Sequence, residues 1–163
     1  MEWTVMAWAA LVGLGATLVM DAWSLLLRRL GVTTLDYAML GRWVGHLWRG
    51  RFAHPGIAQA AAIPGERRLG WLAHYATGIA FALLIVAVLG AKWLHAPTAA
   101  PALAAGIATV VAPLFIMQPA MGAGFAASKT ATPLGNCLRS LVTHAVFGAG
   151  IYLAATLVAT LGG

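Results

Sequence analysis

The chain has 163 residues, a formal charge of +6, an apolar fraction of 61% and only 9% charged residues. Soluble domains are closer to half apolar and a quarter charged, so this composition excludes that class and points to a membrane-integral protein. The positive charge then bears on topology and anionic headgroups, and no polar domain is left over to bind nucleic acid.

The length predicts one transmembrane domain over residues 1–163. The lone cysteine, Cys137, rules out an internal disulfide and any Cys-x-x-Cys motif. A membrane helix needs about 20 apolar residues to cross roughly 30 Å of hydrocarbon. The first stretch of that kind covers residues 3–27, with Asp21 as its only charge. Its leading segment holds Glu2 and no Lys or Arg, and the run exceeds a usual signal-peptide core, so it is expected to stay in the mature protein.

A loop over 28–69 follows and is too long for a simple connector. Within it, "TTLDYAMLGRWVGHLWRG" has helical spacing: Leu40, Trp43 or Val44, and Leu47 form an apolar stripe, with Arg42, His46 and Arg49 on another face. Thr33 and Asp36 resemble a capping box. The pattern predicts an interfacial helix on the headgroups, anchored by Trp43 and Trp48. Pro55-Gly56 and Pro64-Gly65 mark turns beyond it.

The second span is expected over 70–91, the third over 101–124 and the fourth over 140–161. Pro113 and Pro119 should bend or break the third near its end. Seven arginines lie between spans one and two, Lys129 and Arg139 between three and four, and Lys92 alone in the opposite loop. The positive-inside rule makes both basic loops cytoplasmic and both termini periplasmic. The expected fold is an all-α polytopic four-helix bundle with a long cytoplasmic loop.

Helical rise sets the depth of the polar residues. Asp21 falls roughly 10 Å inside the cytoplasmic boundary, His74 about 9 Å and His144 about 8 Å. Gln118 lies near the cytoplasmic end of span three, so every span carries a strongly polar side chain in one slab. Gly70-x3-His74-x3-Gly78 also parallels Ser140-x3-His144-x3-Gly148, which hints at a repeat of spans one and two in three and four. A mid-helix acid costs roughly 2.5–3.5 kcal/mol on insertion scales, so Asp21 is read as functional.

Three classes of function fit these residues. In the first, Asp21, His74 and His144 hold a divalent metal (zinc, iron or manganese), with His46 or His54 completing the shell or moving protons. Glu66 is then a general base. Arg49, Arg51, Arg67 and Arg68, with Gln118, bind a lipid or amphiphilic substrate for a metal-dependent membrane hydrolase. In the second, His74 and His144 are axial ligands of haem b in an electron-transfer or quinone protein, with Arg68 and Arg139 at the propionates. In the third, the chain is non-catalytic: half of a transporter, working as a homodimer, or an assembly factor for a membrane complex.

The segments "GATLVMDAWSLLLRR", "GRWVGHLWRGRFAHPGI", "PGERRLGWLAHYATGIAFA", "APLFIMQPAMGAGFAASKT" and "LRSLVTHAVFGAGIYL" resemble a family of small bacterial inner-membrane proteins, the domain-of-unknown-function family 2938. The resemblance covers nearly the whole chain and includes Asp21, His46, His54, Glu66, His74, Gln118 and His144. It implies a bacterial, four-span, inner-membrane protein and transfers no activity, cofactor or partner.

Overall fold

The computed structural model describes residues 2–162, so Met1 and Gly163 of the expected domain lie outside the described residues. It is helical, with no strand among the described residues. In chain order the helices are α1 (Trp3–Arg29), α2 (Tyr37–Leu47), α3 (Glu66–Leu89), α4 (Ala91–His95), α5 (Ala99–Ala108), α6 (Gln118–Ala120) and α7 (Pro133–Gly162). Four stretches, Trp3–Arg29, Glu66–Leu89, Ala99–Ala120 and Pro133–Leu161, are long and apolar enough to cross a membrane. Each overlaps one of the four spans read from hydropathy.

Several boundaries differ, two of them for local reasons. Proline is pre-set for a first helical position. α7 accordingly begins at Pro133, and Arg139, expected in a loop, lies inside the helix and donates from Nη1 to the Thr33 carbonyl at 2.9 Å. The third stretch breaks as its prolines require. Pro113 has no N–H to offer the carbonyl one turn back. α5 therefore stops at Ala108, and a π turn over Pro113–Met117 leads into α6.

The chain forms two compact units. The first comprises Met1–Val32, Tyr75–Thr109 and Val142–Gly163. Its core is small and aliphatic, with Val12, Ala16, Val86, Leu94, Ala102 and Ile151 buried together. Bilayer lipid gives helices no hydrophobic reason to associate, so close packing of small residues must supply it. A Cβ on Gly13 would stand 2.7 Å from Ile79 Cα of α3, and one on Gly15 2.8 Å from the Ala154 Cβ of α7. One on Gly106 of α5 would overlap the Gly148 backbone of α7. Leu11, Leu18, Leu84, Val88, Leu153 and Leu157 are exposed, an apolar exterior suited to lipid rather than water.

The second unit comprises Thr33–His74 and Val110–Leu141. The cap of α2 is Asp36, whose Oδ1 accepts the Ala38 N–H at 2.9 Å, and not the Thr33–Asp36 box. α2 docks on the first turns of α3 with backbones in contact: a Cβ on Gly41 would overlap the Glu66 carbonyl, and one on Gly70 the Tyr37 carbonyl. Tyr37, Leu40 and His46 are buried, so His46 belongs to the packed side of α2 and not to a solvated polar face. Trp43 donates from Nε1 to the Phe52 carbonyl at 2.7 Å and meets the Phe52 ring edge-on at 5.9 Å, closing the turn after α2.

Backbone-to-backbone docking leaves no room for a side chain. Gly41→Leu should therefore destabilise the protein by about 1–3 kcal/mol, read as a lower melting midpoint in detergent. Gly135→Ala, whose added Cβ meets only Thr132 at 3.8 Å, should leave that midpoint unchanged or raise it.

Candidate functional site

The second unit is organised by one side chain. Arg42 projects from α2 and grips Glu66, the first residue of α3, with both arms: Nε to Oε2 and Nη2 to Oε1, each at 2.8 Å. Its remaining nitrogen, Nη1, donates to the carbonyls of Ile57, Ala58 and Ala60 at 3.4, 3.1 and 3.2 Å. Glu66 Oε2 also accepts the Ile63 N–H at 3.0 Å. A planar guanidinium is the one side chain that can satisfy a carboxylate and a row of carbonyls together. The loop after α2 is thereby a folded element. The general-base role expected of Glu66 meets a carboxylate already engaged at both oxygens.

One turn further along α2, on the same face, His46 is 5% exposed and bonds the Ala61 carbonyl through Nε2 at 2.9 Å. A carbonyl only accepts, so Nε2 carries the hydrogen and a neutral ring has its lone pair on Nδ1. His54 packs edge-on against His46, with ring centroids 4.9 Å apart and planes at 74°. Its backbone N–H donates to the Ala120 carbonyl at 2.8 Å, and the Ile57 N–H donates to that of Met121 at 3.0 Å. Gly122, at φ +95°, lets the chain pass against Pro55. His54 is itself 5% exposed, and neither Nδ1 nor Nε2 has a hydrogen-bond partner among the described residues.

That environment holds His54 below the ordinary imidazole range. Burial is the main cause, followed by the Arg51 guanidinium and the neighbouring His46; the Ala120 carbonyl, outside hydrogen-bond geometry to the ring, pulls the other way. His54 is consequently neutral at pH 7, with one N–H and one lone pair. Gln118 lies two residues before Ala120. Its Nε2 reaches Ser140 Oγ at 3.5 Å, while its buried Oε1 is unpartnered among the described residues.

The other polar residues expected at the site have partners of their own. In the second unit, the Tyr37 hydroxyl and His74 Nε2 are 3.0 Å apart, and the Tyr37 ring packs tilted against Trp71 at 4.1 Å and His74 at 4.6 Å. In the first unit, the Tyr75 hydroxyl donates to Asp21 Oδ2 at 2.8 Å. Thr109 Oγ1 donates to the Gly106 carbonyl at 2.5 Å and lies 2.7 Å from His144 Nδ1. Its single hydrogen is spent on the carbonyl, so His144 Nδ1 is the donor. Among the described residues no three His, Cys, Asp or Glu side chains are grouped to hold a metal ion, Asp21, His74 and His144 included. Arg49, Arg51 and Arg68 are exposed.

Sequence reasoning passed over Arg42, Tyr37, Tyr75 and Thr109. Only Arg42 left a signal. The chain has four acids, of which only Asp36 and Glu66 fall in the long loop, and Asp36 precedes a helix start. Glu66 therefore needed a cation, and Arg42 is one helical turn before His46.

The family model described as "Protein of unknown function (DUF2938)" matches residues 10–158, and the chain belongs to that family. No curated protein and no solved structure matches the chain.

Arg42→Lys keeps the charge and loses the fork. It should expose the 57–66 segment, read as cleavage there by a protease several-fold faster than in the unaltered protein. The sign of the pH effect follows from His54. The unfolded chain takes its proton near pH 6.5 and the folded chain only below that. The contribution of neutral His54 is complete above about pH 6.5 and is lost as pH falls through the lowered folded value. Between pH 7 and 5 the melting midpoint of metal-free protein should fall further than that of His54→Asn.

Proposed function

We propose that the protein is a multi-pass protein of a bacterial inner membrane whose second unit works at the cytoplasmic leaflet on a lipid or another amphiphile. The distribution of arginines supports the orientation, with both termini periplasmic. The observation that carries the reading is the run Trp48-Arg49-Gly50-Arg51-Phe52. All five residues are exposed, Trp48 at 85% and Phe52 at 54%, around a turn at Gly50 with φ +73°. Two aromatic rings flanking two guanidinium groups suit the boundary of a bilayer. The rings prefer the interface, and the guanidinium groups bind phosphate oxygens in pairs.

The turn is held at its base by the Trp43–Phe52 hydrogen bond and is bracketed in the chain by His46 and His54. A headgroup bound at the tip would bring the polar part of its molecule toward two buried imidazoles. Neutral His54 has both a proton to give and a lone pair to accept one, the requirement for general acid–base work near pH 7. Arg42 and Glu66 are positioning residues in this reading, because they hold the loop that carries the histidines.

Each arginine near an anionic surface contributes about 1 kcal/mol, so removing two should weaken headgroup binding roughly tenfold to thirtyfold. The full-length protein in nanodiscs should retain phosphatidylglycerol over phosphatidylcholine, measured by native mass spectrometry, and Arg49→Gln with Arg51→Gln should abolish the preference. Equal retention of both lipids by the unaltered protein would overturn the reading.

A further inference from the structure

We propose that His46 and His54 form a two-imidazole site for a borderline divalent metal ion, zinc before iron or manganese, with its remaining positions open. The site goes beyond the lipid reading and does not depend on it.

The first argument is the accounting of buried polar atoms. Buried nitrogens are nearly always matched, and an unmatched one costs about 1–3 kcal/mol. His54 has two on one ring, in a segment that backbone bonds to Ala120 and Met121 hold in place. An ion from outside the protein's own atoms would match one of them.

The second argument is the state of His46. Metal-ligating histidines characteristically donate the other ring N–H to a carbonyl or carboxylate, which fixes the tautomer and aims the lone pair. His46 has that arrangement, donating through Nε2 to Ala61 at 2.9 Å. Arg42, one turn earlier, holds the same loop, so the carbonyl that orients His46 is itself held in place.

The third argument is spacing. Two imidazoles sharing one ion at metal–nitrogen distances of about 2.1 Å and a tetrahedral angle place their ring centroids about 5 Å apart. The rings of His46 and His54 are 4.9 Å apart.

Donor type narrows the ion. Neighbouring Glu66 is committed to Arg42 and no thiolate is at hand, which disfavours hard oxygen-seeking ions and the facial His-carboxylate arrangement of iron. Water fills the open positions.

The test uses metal-stripped full-length protein in detergent, titrated with Zn²⁺ alone against a chromogenic chelator. Saturable uptake of about one ion per chain is expected. His46→Gln and His54→Gln should each weaken it at least about tenfold, while His95→Gln leaves it unchanged. Replacement of a buried histidine can unfold the unit, so zinc-edge X-ray absorption on the unaltered protein provides a reading independent of any variant. A shell with two imidazoles supports the site. No saturable uptake, a shell without two imidazoles, or full affinity in both folded variants would overturn it. None of these measurements involves lipid, so failure here leaves the headgroup reading standing, and the reverse also holds.

Discussion

The second unit depends on the reach of the Arg42 guanidinium. One flat cation ties α2 to α3 through Glu66 and at the same time accounts for the carbonyls of Ile57, Ala58 and Ala60. The Ile57 carbonyl also accepts the Ala60 N–H, but those of Ala58 and Ala60 would otherwise need water or a strand partner, and an irregular loop near a bilayer has neither in reliable supply. With the loop pinned, the Ala61 carbonyl stands where His46 can use it, and the chain can return with His54 against the His46 ring. Lysine would match the charge but not the number or directions of the donors.

The first unit solves a different problem by different means. Its helices expose apolar side chains on their outer faces, so in a bilayer apolar burial would bring little gain, and contact at glycine and alanine supplies dispersion instead. Gly13 with Ile79, Gly15 with Ala154 and Gly106 with Gly148 are three such crossings among α1, α3, α5 and α7. Polar groups inside this unit are matched locally by hydroxyls: Tyr75 to Asp21, Thr109 to His144, and Thr17 to the Gly13 carbonyl at 2.7 Å. A hydroxyl can donate and accept within one short side chain, which makes it an economical partner for an acid or an imidazole in hydrocarbon.

These two solutions explain what was legible in the sequence. Spans are set by the thickness of hydrocarbon, a one-dimensional constraint, so composition and length locate all four, and Pro113 announces the break in the third. Partner choice is three-dimensional. Tyr37, Tyr75 and Thr109 look like ordinary residues of apolar or amphipathic segments, and only the fold shows which imidazole or carboxylate each one meets. His46 was misplaced for a related reason. Helical periodicity assigns polar residues to a solvated face, whereas α2 is short, has protein against it, and buries an imidazole where the loop offers a carbonyl. The likeness of Gly70-x3-His74-x3-Gly78 to Ser140-x3-His144-x3-Gly148 was visible from spacing alone. In the fold both imidazoles do meet a hydroxyl, Tyr37 for one and Thr109 for the other.

The unmatched atoms divide by chemistry. Among the described residues, the buried side-chain atoms without partners in the first unit are the indole nitrogens of Trp23 and Trp93, which can only donate. In the second unit they are the two nitrogens of His54 and the amide oxygen of Gln118, all but one of which are able to accept when the ring is neutral. A donor-only orphan attracts no cation and takes up no proton. A buried lone pair attracts both, and its desolvation cost is recovered only when one arrives. The orphaned atoms of the first unit are thus donors alone, whereas the second unit holds buried lone pairs together with an exposed turn of arginine and aromatic residues.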